Sequence, residues 1–90
     1  MKKKNKEVQE GFGSEFVKSI DESGLPHSVD DNPAIVVPGQ GKFWHKNGLL
    51  HRDNNKPAVE FDTGEIEFWL NGQRIKRLER QEAMFHHWKE

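Results

Sequence analysis

Apolar residues change their spacing along this chain, and the change divides it into parts. Phe16 and Val17 precede Ile20 by four and three positions, Ser14 stands where an N-cap belongs, and Gly24 and Pro26 close the stretch. The spacing predicts a short helix of about two turns, Glu15 to Glu22, with its apolar edge on a sheet. From Ala34 the period falls to two. Strands are expected at Ala34–Val37, Gly41–Lys46, Ala58–Phe61, Glu65–Leu70 and Gln73–Ile75, parted by Pro38-Gly39, Asp53 to Pro57 and Asp62-Thr63-Gly64. Asn47-Gly48 sits between the Trp44 strand and the Leu49-Leu50 segment, and Asn71-Gly72 between the last two strands. Type I′ hairpins need positive φ at both central residues, and Asn-Gly supplies it most readily. Residues 76–89 lack Gly and Pro, and Ile75, Leu78, Phe85 and Trp88 fall near one face with Met84 beside them, which predicts a C-terminal amphipathic helix. The expected fold class is α+β: a small antiparallel β-meander of two tandem hairpin repeats, with a short N-terminal helix and a C-terminal amphipathic helix.

The repeats are residues 27–50 and 51–75. His27 and His51 open them, 24 positions apart, and Pro33-Ala34 with Pro57-Ala58 and Asn47-Gly48 with Asn71-Gly72 keep that offset. Phe43-Trp44 and Phe68-Trp69 are 25 apart, which implies a one-residue slip inside the repeat. Aligned that way, Phe43 matches Phe68, and Trp44 matches Trp69 on the opposite, charged face with Lys42, Lys46, Glu65 and Glu67. Either the C-terminal helix or the N-terminal segment covers both tryptophans as a second core layer, or they form a binding face. Trp is enriched at interface hot spots.

The stretch FWHKNGLLHRDNNKPAV resembles a short tandem repeat with the pattern aromatic-Trp/Tyr, Asn-Gly, His-Arg, polar loop, Pro-Ala-Val. That repeat occurs in uncharacterised proteins of tailed bacteriophages, bacteria and giant viruses, and is loosely similar to MORN repeats. The resemblance covers about 50 of the 90 residues. It implies a β-hairpin array and a binding role, often in a viral accessory setting. His27-Ser28 and Arg74-Ile75 depart from the His-Arg pair.

Composition bounds the rest. Ninety residues, 32% hydrophobic, make one small domain with a thin core that nine aromatics (six Phe, three Trp) help to fill. Residues 1–10 read as a disordered basic tail carrying Lys2, Lys3, Lys4 and Lys6, and residues 11–90 as a single domain. Cysteine is absent, which excludes disulfides and thiolate zinc sites and suits a cytoplasmic protein. No apolar run approaches the ~18 residues of a membrane span. Net charge is −1, unevenly spread: Glu7 to Gly41 carries seven acids against Lys18 alone.

The five histidines match no zinc spacing, and His27 and His51 read as structural, each bonding a loop backbone. His45, Asn47 and His51 do not make a metal-dependent nuclease, because Asn47 is the hairpin turn and a strand follows Pro57. Ser14, Ser19, Ser23 and Ser28 have no nucleophile elbow, and Pro38 to Gly41 is a turn with no helix after it to hold a phosphate. Glu60, Asp62, Glu65 and Glu67 are either a solvated face or an imitation of DNA phosphates.

No enzyme, cofactor or metal is expected. The expected function is a protein-binding module, in a phage accessory setting, that binds or inhibits a host bacterial protein. Trp44, Arg52, Trp69, Phe85 and Trp88 are its anchors, and Asn47, Gly48, Asn71 and Gly72 its structural turns. The alternative is nucleic-acid binding through the N-terminal lysines and the Arg74, Lys76, Arg77, Arg80 cluster. A homodimer through an unpaired strand edge is a further possibility.

Overall fold

The computed structural model describes residues 14–89. Strands β1 (Ile35–Val37), β2 (Gly41–Phe43), β5 (Val59–Phe61), β6 (Ile66–Leu70) and β7 (Gln73–Leu78) form one antiparallel sheet in the order β1-β2-β5-β6-β7. Strands β3 (His45–Lys46) and β4 (Leu49–Leu50) form a separate two-stranded ribbon. Helix α1 (Arg80–Lys89) follows β7. The predicted basic tail, residues 1–10, lies outside the described residues.

The fold class differs from the α+β expectation. The described chain is mostly small antiparallel sheet with one short C-terminal helix, and no helix spans Glu15 to Glu22. Ser14–Phe16 make a single 3₁₀ turn, and the chain then runs extended. Val17 bridges Ile35, Ile20 bridges Pro26, and the Lys18 N–H donates to the Ala34 carbonyl at 2.6 Å. A two-turn helix with β-branched Val17 and Ile20 is too short to hold itself together in water, whereas the sheet edge offers ready backbone partners. Asp21 then folds a turn by accepting from the N–H groups of Ser23 and Leu25.

Two further elements depart from the sequence reading. Residues 76–78 continue β7 rather than opening a helix, because the Asn71-Gly72 turn commits the return strand to pair with β6 as far as Ile66↔Leu78. The helix starts at Arg80, where the Glu82 carboxylate reaches back to the Glu79 N–H at 3.0 Å as half of a capping box. The simple meander is also interrupted. At Trp44 the chain leaves the main sheet for the ribbon, so β2 pairs directly with β5. Trp44 stays joined to both sides, its N–H donating to Ala58 and its carbonyl accepting from His51. β6 makes the equivalent passage within one strand, through an irregularity between Phe68 and Trp69.

The register of the repeat is a constant 24 residues. Gly48 N–H donates to Pro26 and Gly72 to Leu50; Ser28 donates to His45 and Arg52 to Trp69; Ala34 donates to Phe43 and Ala58 to Glu67; Gln40 donates to Val37 and Gly64 to Phe61. Donor and acceptor both advance by 24 in every pair. No residue has slipped. Trp44 is therefore the counterpart of Phe68, and His45 of Trp69. The Phe-Trp dipeptides match by identity and not by position.

Packing follows this register. Trp44 and Phe68 are both buried, at 4% and 6% exposure. Phe68, Ile66 and Ala83 form a cluster with Leu78 that holds α1 against the sheet. Ala34, Ile35, Val37, Ala58 and Val59 are buried along the first unit and its junction with the second. Phe43 meets Phe61 edge to face at 6.2 Å.

Candidate functional site

Each unit ends in a hairpin, and each hairpin turn is caught by a histidine. Asn47 N–H donates to Nδ1 of His27 at 3.0 Å, and Asn71 N–H to Nδ1 of His51 at 2.9 Å. The turn residues have positive φ throughout: 49° and 88° at Asn47-Gly48, 49° and 84° at Asn71-Gly72. A cation lies over the buried aromatic of each unit, Arg52 at 3.8 Å from the Trp44 ring centroid and Lys76 at 5.1 Å from that of Phe68. Such stacking is worth about 2 kcal/mol for a cation as buried as Arg52 and about 0.5–1 kcal/mol for one as exposed as Lys76.

The first joint is polar. A cavity of about 410 Å³ is lined by His27, His45, Lys46, His51, Arg52 and Asp31 among others. Arg52 forks both Asp31 oxygens, at 3.0 and 3.1 Å, and also donates to the Pro57 carbonyl and Glu60. Lys56 adds a bond to Asp31 at 2.9 Å. Arg52 first, then Lys56, holds the Asp31 carboxyl down to about 2, against a smaller opposing effect of burial. Burial pushes the His45 imidazole below its ordinary value, and the Phe43 backbone opposes it. His51 accepts from Asn71 at Nδ1, so its proton sits on Nε2 and donates to Asp53 at 2.8 Å. Nδ1 thus holds the hairpin turn and Nε2 the 52–56 loop. Among the described residues, no three His, Asp or Glu side chains are grouped to hold a metal ion.

The second joint keeps the backbone and changes the chemistry. A groove of about 270 Å³ lies between the 52–56 loop and the β6–β7 hairpin, floored by Phe68, Trp69, Leu70 and Ile75. At the 24-residue register Trp69 replaces His45, Leu70 replaces Lys46 and Ile75 replaces His51. His51 is buried at 8% exposure, whereas Ile75 is 58% exposed and Leu70 46%. Arg52, Asp53 and Lys56 supply a charged rim.

The sequence-predicted residues fall as follows. Trp44 is buried beneath Arg52, with its indole N–H bonded to the Asp31 carbonyl at 2.9 Å, so a guanidinium and a loop cover it rather than a helix. Arg52 is mostly buried in the clasp, with its side chain 12% exposed. Trp69 is half-buried, and its Nε1 donates to Glu67 at 2.8 Å. The side chains of Phe85 and Trp88 lie outside the described residues. The pairing of Trp44 with Trp69 on one charged face does not occur, because their places in the repeat differ by one.

Sequence reasoning missed Leu70 and Ile75 as site residues, although the loss of His at Ile75 was the available signal. Glu67 was grouped with solvated acids. It is buried and receives Trp69, Arg77 at 2.9 Å and Arg74 at 3.4 Å. With Glu67 so engaged and Glu60 on Arg52, the acidic hairpin does not present a phosphate-like row.

No family model, no curated protein and no solved structure matches this chain. Among the described residues no helix is long and apolar enough to cross a membrane.

Proposed function

We propose that this chain is a non-enzymatic protein-binding module whose groove between the 52–56 loop and the β6–β7 hairpin takes an apolar side chain of a partner protein. One observation carries the reading. The same backbone groove is lined by His45, Lys46 and His51 in the first unit and by Trp69, Leu70 and Ile75 in the second. The fold does not require apolar residues there, yet Leu70 and Ile75 stand about half exposed side by side. Covering what remains open on each is worth on the order of 1 kcal/mol. Trp69 supplies a rigid aromatic wall, and Arg52, Asp53 and Lys56 form the polar rim usual around such an anchor. The resemblance of the repeat to phage proteins makes a host bacterial protein the partner to seek first.

The nucleic-acid reading is weaker, because Arg74 and Arg77 converge on the single Glu67 carboxylate instead of fanning outward. The test is capture from nuclease-treated bacterial lysate by tagged parent protein, a Leu70→Asp, Ile75→Asp pair, and a Met84→Glu control at another exposed apolar position. A partner held by the parent and the control is expected to bind the groove pair about 30- to 100-fold more weakly. Equal capture by the groove pair, once circular dichroism shows it folded, sinks the reading.

A further inference from the structure

A backbone N–H can only donate, and this fixes the state of whatever receives it. Each hairpin tip is fastened by two such donors. Gly48 N–H goes to the Pro26 carbonyl at 2.8 Å, and Gly72 N–H to the Leu50 carbonyl at 2.9 Å. Those acceptors do not titrate. The Asn N–H of each tip goes instead to an imidazole Nδ1, that of His27 at 3.0 Å and that of His51 at 2.9 Å. Such a bond exists only while Nδ1 keeps its lone pair, so each ring is neutral with its proton on Nε2. A second proton lands on Nδ1 and turns the acceptor into a donor facing another donor.

The two tips differ in what else holds them. Asn47 also donates from its side-chain amide to Oδ2 of Asp21 at 2.9 Å. The Asn47 amide first, then the Leu25 N–H, holds the Asp21 carboxyl below the usual carboxylate range, so it stays ionised in mild acid. The Asn71 side chain has no such acceptor among the described residues. His27 is partly exposed and shares a pocket with Asp21 and Glu22, which can balance a gained proton. His51 is buried at 8% exposure, and its ring has little room to turn aside. Asp53 sits on its Nε2, with a side chain 73% exposed. Across the shared cavity stand Lys46, His27 and His45, and the mutually paired Arg52, Asp31 and Lys56. Lys46 opposes a further positive charge. Asp53 favours one, but an ion pair with so exposed a carboxylate is screened by water and is outweighed by the buried bond that the proton breaks.

We infer that the Asn71-Gly72 tip is an acid-sensitive latch, closed on the neutral His51 ring and released when Nδ1 is protonated, whereas the Asn47-Gly48 tip keeps a second fastening through Asp21. An imidazole free of the fold takes its proton near pH ~6.5. The fold holds the unprotonated ring, so the contribution of the latch is present above that pH and is lost as pH falls below it. The Gly72 bond survives, and the tip loosens without the sheet coming apart. The latch works in the free protein and needs no partner in the groove.

The test is ¹⁵N NMR of the full chain between about pH 7.5 and about pH 5. At the upper end the His51 ring is expected to carry its proton on Nε2. At the lower end the protection factor of the Asn71 amide, corrected for the intrinsic pH dependence of exchange, is expected to fall about tenfold or more. That of Ala58, bonded to Glu67 within the sheet, is expected to hold, and that of Asn47 to fall less. His51→Asn offers an amide oxygen near the place of Nδ1 and does not titrate, so its Asn71 protection is expected to stay level. An Nδ1–H tautomer at the upper end overturns the latch, as does unchanged Asn71 protection, an equal loss at Ala58, or the same fall in His51→Asn. Should that variant not fold, the parent decides: the Asn71 loss and the titration of the His51 ring protons must share a midpoint, and a separation of more than about one pH unit overturns the latch.

Discussion

At the scale of the residue, Arg52 and Asp31 show how one contact joins the parts of a small protein. The guanidinium covers an indole on one side and forks a carboxylate 21 positions away in the chain. Lysine at that place would keep the charge and lose the fork, which is what Lys76 does over Phe68 one unit later. The clasp has an acid signature. Folded Asp31 titrates at about 2, and an unfolded aspartate near 3.9. The folded value is the lower one, so the stabilisation is complete above pH ~4 and is lost as pH falls from about 4 to 2. Urea unfolding of the parent and of Asp31→Asn across that window is expected to show a shallower acid limb in the variant. An identical slope in both would mean that the clasp adds nothing to stability.

At the scale of the element, what was legible in the sequence was what the backbone demands locally. Asn47-Gly48 and Asn71-Gly72 could be placed because positive φ is a property of four residues and needs no knowledge of the rest. The stretch Glu15–Glu22 was not legible as an edge segment, because its bridges run to Ile35 and Pro26 and its spacing fits either form. The Phe-Trp match misled for a related reason. Identity favoured a 25-residue register, while the hydrogen bonds keep 24, and only in the latter do Leu70 and Ile75 stand against Lys46 and His51. Arg52 and Trp69 of the groove were visible; Leu70 and Ile75 of its floor were not, since loop and hairpin meet only in the fold. The histidine anchors give this scale its test. His51→Leu leaves the Asn71 N–H without its acceptor, and a loss of about 1–3 kcal/mol is expected. Faster amide exchange at Asn71 should accompany the loss; unchanged exchange would count against the anchor.

At the scale of the whole molecule, the chain is a short array whose inner joint is repeated at a fixed interval. In such arrays each unit is stabilised chiefly by its neighbours. A further copy of residues 51–74 inserted after Arg74 would meet β7 with Ile75 moved one unit outward and a second His51-type anchor behind it. The longer protein is expected to fold and to melt at a higher temperature by circular dichroism. An insert one residue longer or shorter is expected to melt lower than the parent, since every side chain beyond it changes face. Equal melting of all three inserts would mean that the units do not interlock.

The constant interval also has a meaning for inheritance. Twenty-four codons of three are 72 nucleotides, and a duplication of that length hands the next generation one more working joint without redesign. Duplications of other lengths scramble the histidine and its turn. Ile75 sits where such growth would be received, with a hydrocarbon in the place where His51 offers an acceptor.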